Sequence, residues 1–387
     1  MNTHDNMNRR RFLRDAAASA AAIGLGAPAV SAMAEEGNSR NAMTEKMDET
    51  INAKAEKRNK TVFNEKEAAP NKVGLYSITF LGVWYRGKAL TLDELIIKAK
   101  ELGYDGIEID GKRPHGNPLD MSAARCRELK RKAEYAGLEI YAVSANNDFS
   151  SPIPEHRECQ IAYLRELIRM TSNLGVKPLR VFLGWPGVTL HPGGGRYDIA
   201  RDIWQYTHRQ FEPEQVWEWC REALIESAKY AGDYGVTLAL QNHRPVISDW
   251  KEMMRMINEV DSPNLKACLD APIMEDKSPG NMHAAARAVG DLQVLTHFGG
   301  EFGRDPEGKI LDIQDYGEGR TGDEAKKKEE YYPVFLEAMK DIGYEGYFSY
   351  ELCHPLPVVN GKRVGIEYVE KCAGLACEMM KGLVGRT

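Results

Sequence analysis

The sequence predicts a single α/β domain folded as a (β/α)8 barrel, and three observations carry this prediction. Eight short apolar segments of strand length follow one another after residue 70. Amphipathic segments of helical length separate most of them, and several junctions repeat a helix, a glycine and a strand, as in ELGYDGIEI from Glu101. Parallel strands joined by right-handed crossovers close most simply into a barrel. A doubly wound open sheet is the alternative, although no GxGxxG follows the first strand.

The first 70 residues differ in composition from the rest of the chain. Residues 8–14 read NRRRFLR and precede an Ala- and Gly-rich run that ends in AMA at residues 32–34. This pattern is typical of a twin-arginine signal peptide, so we expect residues 1–34 to direct export to the periplasm or the extracellular space. Residues 35–70 are rich in charged side chains and predict a flexible linker. The barrel then fills residues 71–387, with no stable membrane span after cleavage.

Composition excludes several function classes. The formal net charge of -6 gives no basic surface for nucleic acid, so we expect no nucleic-acid partner. The seven cysteines contain no C-x-x-C pair, which argues against a zinc ribbon and against a disulfide framework. Assembly into a homo-oligomer is left open.

The eight predicted strands are rich in β-branched and aromatic residues. In chain order they are VGLYSITF from Val73, DGIEID from Asp105, LEIYAVSAN from Leu138, LRVFLGW from Leu179, VTLALQNH from Val236, LKACLDA from Leu265, LQVLTHFGG from Leu292 and GYFSYELCH from Gly346.

The helix after the first strand has clear end signals. Thr91 precedes Glu94 by three residues, as in a capping box, and Gly103 follows the apolar pattern, as at a helix C-terminus. Similar amphipathic runs cover residues 119–136, 155–174, 213–234, 248–260, 324–342 and 364–384.

Two connections are longer than is usual between strand and helix. They cover residues 184–212 and 299–321, and both follow strands. Both are therefore predicted at the C-terminal mouth of the barrel, where long loops often cover a substrate.

Polar side chains gather at the predicted strand ends, which converge at that mouth. They are Glu108, Asn146, Trp185, His191, Gln241, Asn242, His243, Asp270, His297, Glu351 and His354. A buried carboxylate is costly unless it is paired or binds a metal. Asp270, His297 and Glu351 follow three consecutive strands and would neutralise one another around a divalent cation. Each taken alone is more often a hydrogen-bonded structural residue.

At these positions the chain resembles the sugar phosphate isomerase/epimerase family of xylose isomerase-like TIM barrels, over residues 71–385. In that family a Glu, an Asp, a His and a Glu end strands five to eight and hold one Mn, Co, Zn or Mg ion. The resemblance assigns these metal-ligand roles to Gln241 in LALQNH, Asp270 in CLDAP, His297 in LTHFGG and Glu351 in SYELCH.

Two positions depart from the family pattern. Gln241 stands where the family has a carboxylate, and Ile273 stands where many epimerases have a histidine. An amide oxygen can coordinate a hard cation, but it cannot accept a proton at neutral pH. Reactions that need two carboxylate bases are therefore less favoured than reactions that need one. Asn242 and His243 match the family's E-N-H ending, in which the histidine often lines the sugar pocket.

The resemblance implies a metal-dependent sugar isomerase or epimerase that acts on keto sugars through an enolate or enediolate. Glu351 or His243 would remove the α-proton, and Arg304 in the second long connection would contact a substrate oxygen. A 3-keto-glycoside lyase or hydrolase with one carboxylate base is an alternative, and a non-catalytic sugar-binding relative is another. The expected partner is a small sugar or glycoside. Zinc-dependent apurinic endonucleases share the barrel, but they need more histidine ligands and a basic surface.

Overall fold

The computed structural model describes residues 71–191, 194–313 and 322–385, and only the backbone at 191 and 322–330. The predicted signal peptide over 1–34 and linker over 35–70 lie outside the described residues. None of the helices described combines the length and apolar composition needed to cross a bilayer. All seven cysteines are free thiols.

Eight parallel strands form one sheet, which confirms the predicted barrel. Each of the eight predicted strand segments overlaps one of them. They are β1 Lys72–Tyr76, β2 Gly106–Asp110, β3 Glu139–Ser144, β4 Pro178–Val181, β5 Thr237–Gln241, β6 Leu265–Cys268, β7 Thr296–Gly299 and β8 Tyr347–Glu351. The sheet order is β6-β5-β4-β3-β2-β1-β8-β7.

The barrel closes between β6 and β7 through few backbone contacts. The Val294 amide donates to the Ala267 carbonyl at 3.1 Å. The Gln293 side chain accepts from the Leu269 amide at 3.1 Å and donates to the Leu295 carbonyl at 2.8 Å. The side-chain amide of Gln293 thus replaces part of the main-chain hydrogen bonding that is missing between β6 and β7.

Helices surround the sheet, and the capping box predicted at the first of them is present. Thr91 accepts from the Glu94 amide, and Glu94 accepts from the Thr91 amide. The helices are α1 Leu92–Glu101, α2 Ala123–Tyr135, α3 Pro154–Leu174, α4 Asp198–His208, α5 Pro213–Asp233, α6 Trp250–Val260, α7 Pro279–Val289, α8 Gly322–Asp341 and α9 Ile366–Val384.

Two of these helices are not among the predicted ones. Helix α7 begins with Pro279 and Gly280, which resemble a turn in sequence, although proline suits the first position of a helix. Helix α4 lies inside the first long connection, after a hairpin of Thr189–His191 and Gly194–Arg196. The second long connection contains a hairpin of Phe302–Arg304 and Ile310–Asp312. Its residues 314–321 lie outside the described part.

The barrel interior changes from aromatic to polar toward the C-terminal strand ends. The rings of Tyr141 and Tyr347 stack with centroids 3.8 Å apart. Gly74 on β1 makes room for this pair, because a Cβ there would collide with the Tyr141 ring. The Tyr141 hydroxyl is 2.6 Å from the Ser349 hydroxyl, which begins the polar layer.

Candidate functional site

A cavity of about 1100 Å³ opens at the C-terminal ends of the barrel strands. Both long connections contribute to its wall, the first with residues 185–188, Tyr197 and Arg201 and the second with Gly300 and Asp312. Both connections therefore lie at the mouth of the barrel, as predicted. The wall also contains predicted site residues and Ile273, which stands where many epimerases have a histidine. With His354 the predicted site residues in the wall number six, and the other five are Asn146, Trp185, Gln241, His243 and Glu351.

The centre of the polar layer is His297, whose ring lies between two carboxylates. Its Nδ1 is 2.9 Å from Asp270 Oδ2, and its Nε2 is 3.0 Å from Glu108 Oε2. The His297 amide also donates to Asp270 Oδ1 at 2.7 Å. All three side chains are buried. They connect β2 and β7 with Asp270, which lies two residues after β6.

Charge explains the pairing of these three residues. Burial alone would raise the pKa of Asp270 and of Glu108, but the neighbouring His297 outweighs it and lowers both. Burial alone would lower the pKa of His297, but Glu108 and Asp270 raise it well above its ordinary value. With no metal bound, these directions favour an imidazolium held between two carboxylates.

Glu108 was expected to contact substrate, and the structure places it behind His297. Its carboxylate accepts from the Ser144 hydroxyl and, at 2.7 Å, from the Ser349 hydroxyl. Ser349 in turn contacts Tyr141. These contacts fix the orientation of Glu108 and, through it, the orientation of the His297 ring.

Gln241 ends β5 between a carboxylate and a guanidinium. Its Nε2 donates to Asp270 Oδ2, and its Oε1 accepts from Arg180 at 3.4 Å. If the amide oxygen and nitrogen were exchanged, the oxygen would face the Asp270 carboxylate and the N–H groups would face the Arg180 guanidinium. Both contacts would be repulsive, so these two neighbours fix the amide orientation.

Glu351 ends β8 and lines the cavity. No hydrogen bond to its carboxyl group is found within the described part of the chain. Burial raises the pKa of Glu351, and His297 and Arg180 offset part of that increase. Its carboxyl group is thus open to the cavity and has no hydrogen-bond partner among the described residues.

Aromatic side chains form one wall of the cavity. The His243 ring contacts Phe182 and Trp185 edge-on, with centroids 5.0 and 5.1 Å apart, and Trp185 stacks on Phe182. Burial lowers the pKa of His243 to about 4, so this ring is neutral near pH 7. Trp185 and His243 present ring surface of the kind that contacts sugar faces.

Three further predicted residues, Asn242, Asn146 and His354, contact different groups around the site. Asn242 is buried and exchanges hydrogen bonds with the backbone of Asp270, at 2.8 and 3.2 Å. Asn146 lines the cavity and donates to Asp110 at 2.8 Å. His354 lies 3.0 Å from Glu301 through Nε2.

Of the two remaining predicted residues, Arg304 lies apart from the cavity wall, and the side chain of His191 is not described. Arg304 is exposed, and its guanidinium contacts both carboxylate oxygens of Glu378 on α9, at 2.6 and 2.7 Å. His191 ends a hairpin strand and pairs with Gly194, but its side chain lies outside the described atoms.

Sequence reasoning missed Arg180, Tyr76 and Cys268, which all lie at or next to this site. The Cys268 thiol is 3.5 Å from Asp270 Oδ1 and 3.6 Å from His297 Nδ1. Arg180 has one sequence signal, since it is a charged residue inside the apolar strand segment LRVFLGW. An inward-facing charge in such a segment indicates a site.

The donor set fits a divalent metal ion. Ligand atoms of Cys268, Asp270 and His297 lie within 4.8 Å of one another and are buried. Gln241 and Glu351 add an amide and a carboxyl group from the neighbouring strand ends, and sulfur, imidazole and oxygen ligands together suit zinc, cobalt or manganese. His297 would bind through a nitrogen that now contacts a carboxylate, and Gln241 would have to release Arg180 to offer its oxygen.

Comparison with known proteins agrees with this architecture. Xylose isomerase of Thermus thermophilus is 26% identical over 160 residues, which is 38% of this chain and 37% of that protein, so the match spans well under half of this relative. D-psicose 3-epimerase from Clostridium cellulolyticum H10, solved with D-tagatose, is 22% identical and superimposes with a TM-score of 0.56. The match covers 81% of this chain and 99% of that one.

A third similar protein is 3-keto-D-glucoside 4-epimerase from E. coli, solved in its apo form. It is 17% identical, with a TM-score of 0.53 over 80% of this chain and 99% of that one. These likenesses show the fold. The family model described as xylose isomerase-like TIM barrel matches residues 96–372, most of the chain, so the chain belongs to the xylose isomerase-like TIM barrel family.

Proposed function

We propose that the protein is a metal-dependent isomerase or epimerase of keto sugars with Glu351 as its base. The observation that carries the proposal is the position of Glu351, whose carboxyl group faces the cavity beside Gln241 and the buried Asp270 and His297. The similar structures include two sugar epimerases, which supports this class of reaction.

Gln241, Asp270, His297 and Glu351 are the proposed metal ligands, and Cys268 is close enough to join them. A bound divalent ion would polarise the substrate carbonyl and make the neighbouring C–H bond more acidic. Glu108 keeps the His297 ring in place, and Asn242 positions Asp270 through its backbone.

The proton transfer is assigned to Glu351 alone among the carboxyl groups. Gln241 cannot take a proton, and Asp270 and Glu108 are engaged with His297. Glu351 takes the proton from the hydroxyl-bearing carbon next to the carbonyl and returns it to the former carbonyl carbon on the same face. The hydroxyl proton moves to the former keto oxygen, and the overall change is an isomerisation. Epimerisation needs a proton donor on the opposite face, and His354 is a cavity residue that could supply it.

A 3-keto-glycoside lyase is the second candidate, because one base is enough for an elimination. A cavity of about 1100 Å³ exceeds the size of one monosaccharide and leaves room for an aglycone. The predicted twin-arginine signal peptide also supports contact with glycosides outside the cytoplasm.

The test is to incubate metal-loaded protein with a panel of free ketoses and 3-keto-glycosides and to identify the products by NMR. A new aldose or an epimer supports the isomerase or epimerase, and release of the aglycone supports the lyase. Binding of a sugar without any product would favour the non-catalytic alternative. Protein purified without chelator is expected to contain about one divalent ion per chain.

A further inference from the structure

Arg180 at the end of β4 is a buried cation without an ionic partner among the described residues. Its side chain is 4% exposed, yet it borders the cavity. Its guanidinium lies over the rings of Tyr76 and Phe182, 5.1 and 4.5 Å from their centroids. Two aromatic faces thus hold it in one orientation.

Most of the hydrogen-bonding capacity of this guanidinium is unused. One terminal nitrogen donates to the Tyr76 hydroxyl at 3.0 Å, and the other donates to Gln241 at 3.4 Å. Its Nε is buried with no partner within the described part of the chain. The Tyr76 hydroxyl gives its own proton to Asp110 at 2.8 Å, so it is an acceptor toward Arg180. A guanidinium has five N–H groups, and buried charges are normally paired.

The position of Arg180 points to an anion that forms during the reaction. It contacts Gln241, and it is close enough to Glu351 for the two charges to interact. The spare donors are therefore next to the proposed base and ligand. A carboxylate at position 241 would form an ion pair with Arg180 and would use up these donors, whereas the amide leaves them for substrate.

We propose that Arg180 is a further catalytic residue, which donates a hydrogen bond to the substrate keto oxygen as that oxygen becomes an enolate. This role rests on the proposed function. The α C–H bond breaks and Glu351 takes the proton. The C–H electron pair forms the C–C double bond, and the carbonyl π pair moves onto oxygen, where the guanidinium stabilises the negative charge. Nothing is oxidised or reduced, and the proton returns when the carbonyl re-forms.

The test uses Arg180→Met and Arg180→Lys with a substrate that the wild-type protein turns over. Arg180→Met is expected to lower kcat by about 100- to 1000-fold and to change KM by less than about threefold, as for loss of an oxyanion donor. Arg180→Lys keeps the charge and is expected to recover part of the loss. Arg169→Met, which removes an exposed arginine from α3 outside the cavity, is the matched control and is expected to keep wild-type kinetics.

Binding provides a readout that does not depend on turnover. A planar anionic mimic of the enolate, such as a sugar hydroxamate, should bind Arg180→Met at least about tenfold more weakly, while binding of the ketose itself changes little. If Arg180→Met does not fold, the same comparison is made with Arg180→Lys, which is expected to lose part of the mimic affinity.

The outcomes separate the two proposals. If the wild-type protein is active and its Arg180 variants keep the wild-type kcat, the catalytic role of Arg180 is overturned. If these variants raise only KM, Arg180 instead anchors a group that is already charged in the substrate. A metal-loaded wild-type protein that turns over no keto sugar would overturn the proposed function and this role with it.

Discussion

The side-chain amide of Gln241 donates a hydrogen bond to the carboxylate of Asp270, which ties the end of β5 to the loop that follows β6. The amide oxygen meanwhile accepts from Arg180. Replacing this amide by a carboxylate would bring a second negative charge to Asp270 and an ionic partner to Arg180. A carboxylate at this position would therefore change both the proposed metal site and the freedom of the guanidinium.

Gln241→Glu is expected to bind a divalent metal about tenfold more tightly, because it adds a charged ligand, and to lower kcat because it engages Arg180. Isothermal titration calorimetry of apo protein and steady-state kinetics measure the two effects. Gln215→Glu on α5, outside the site, is the control. Weaker metal binding together with a higher kcat would contradict the proposed role of the amide.

Glu351→Gln is expected to lower kcat by at least about 1000-fold, because the amide cannot accept the α-proton. The thermal unfolding midpoint should stay close to the wild-type value, since no hydrogen bond to Glu351 stabilises the described part of the protein. Glu166→Gln on the exposed face of α3 serves as the control. Near-normal turnover of Glu351→Gln would show that another group is the base.

Ser349→Ala is expected to destabilise the fold by about 2 kcal/mol, because it removes a buried partner from both Glu108 and Tyr141. Urea unfolding measures the loss. Ser349→Cys keeps the volume and a weak donor and should lose less. Equal stability of Ser349→Ala and the wild-type protein would mean that these contacts do not hold Glu108.

His115, in the loop after β2, is expected to make stability depend on pH. Burial lowers its pKa, its Nδ1 is buried without a partner, and its Nε2 is 2.9 Å from the Leu90 carbonyl. The unfolded chain therefore binds a proton first as pH falls. The contribution of neutral His115 to the free energy of unfolding is fully present above about pH 6.5. It is lost as the pH falls below that value, by at most about 1.4 kcal/mol per pH unit.

Urea unfolding of the wild-type protein and of His115→Gln between pH 5 and 8 isolates this contribution. The glutamine can keep a donor to Leu90, and the difference in unfolding free energy between the two proteins should shrink or reverse below about pH 6.5. A difference that is the same at every pH would show that His115 titrates alike in folded and unfolded protein.

Sequence alone predicted the barrel well, because strand length, helix spacing and end signals act locally. The capping box of Thr91 and Glu94 is an example. Strand-end chemistry also placed Gln241, His243 and Glu351 correctly at the cavity, since consecutive parallel strands end at one face.

The remaining features depend on contacts across the barrel, which no local pattern contains. Glu108 lies 189 positions from His297 in sequence, and their pairing follows from the closure of the sheet. Arg180 is a charged residue in an apolar strand segment, but its contacts with Gln241 and Tyr76 follow only from the folded barrel. Arg304 lies in a connection at the mouth, but its hairpin directs it to Glu378 on α9.

The most direct measurement of the central claim is deuterium incorporation from D2O at the carbon next to the keto group, followed by NMR with metal-loaded protein. We predict deuterium incorporation into at least one ketose or 3-keto-glycoside. Incorporation should be lost in Glu351→Gln and after chelator treatment, and added divalent ion should restore it in the chelator-treated wild-type protein. Incorporation that is equally fast in Glu351→Gln, or none with any keto sugar in fully loaded wild-type protein, would contradict this prediction.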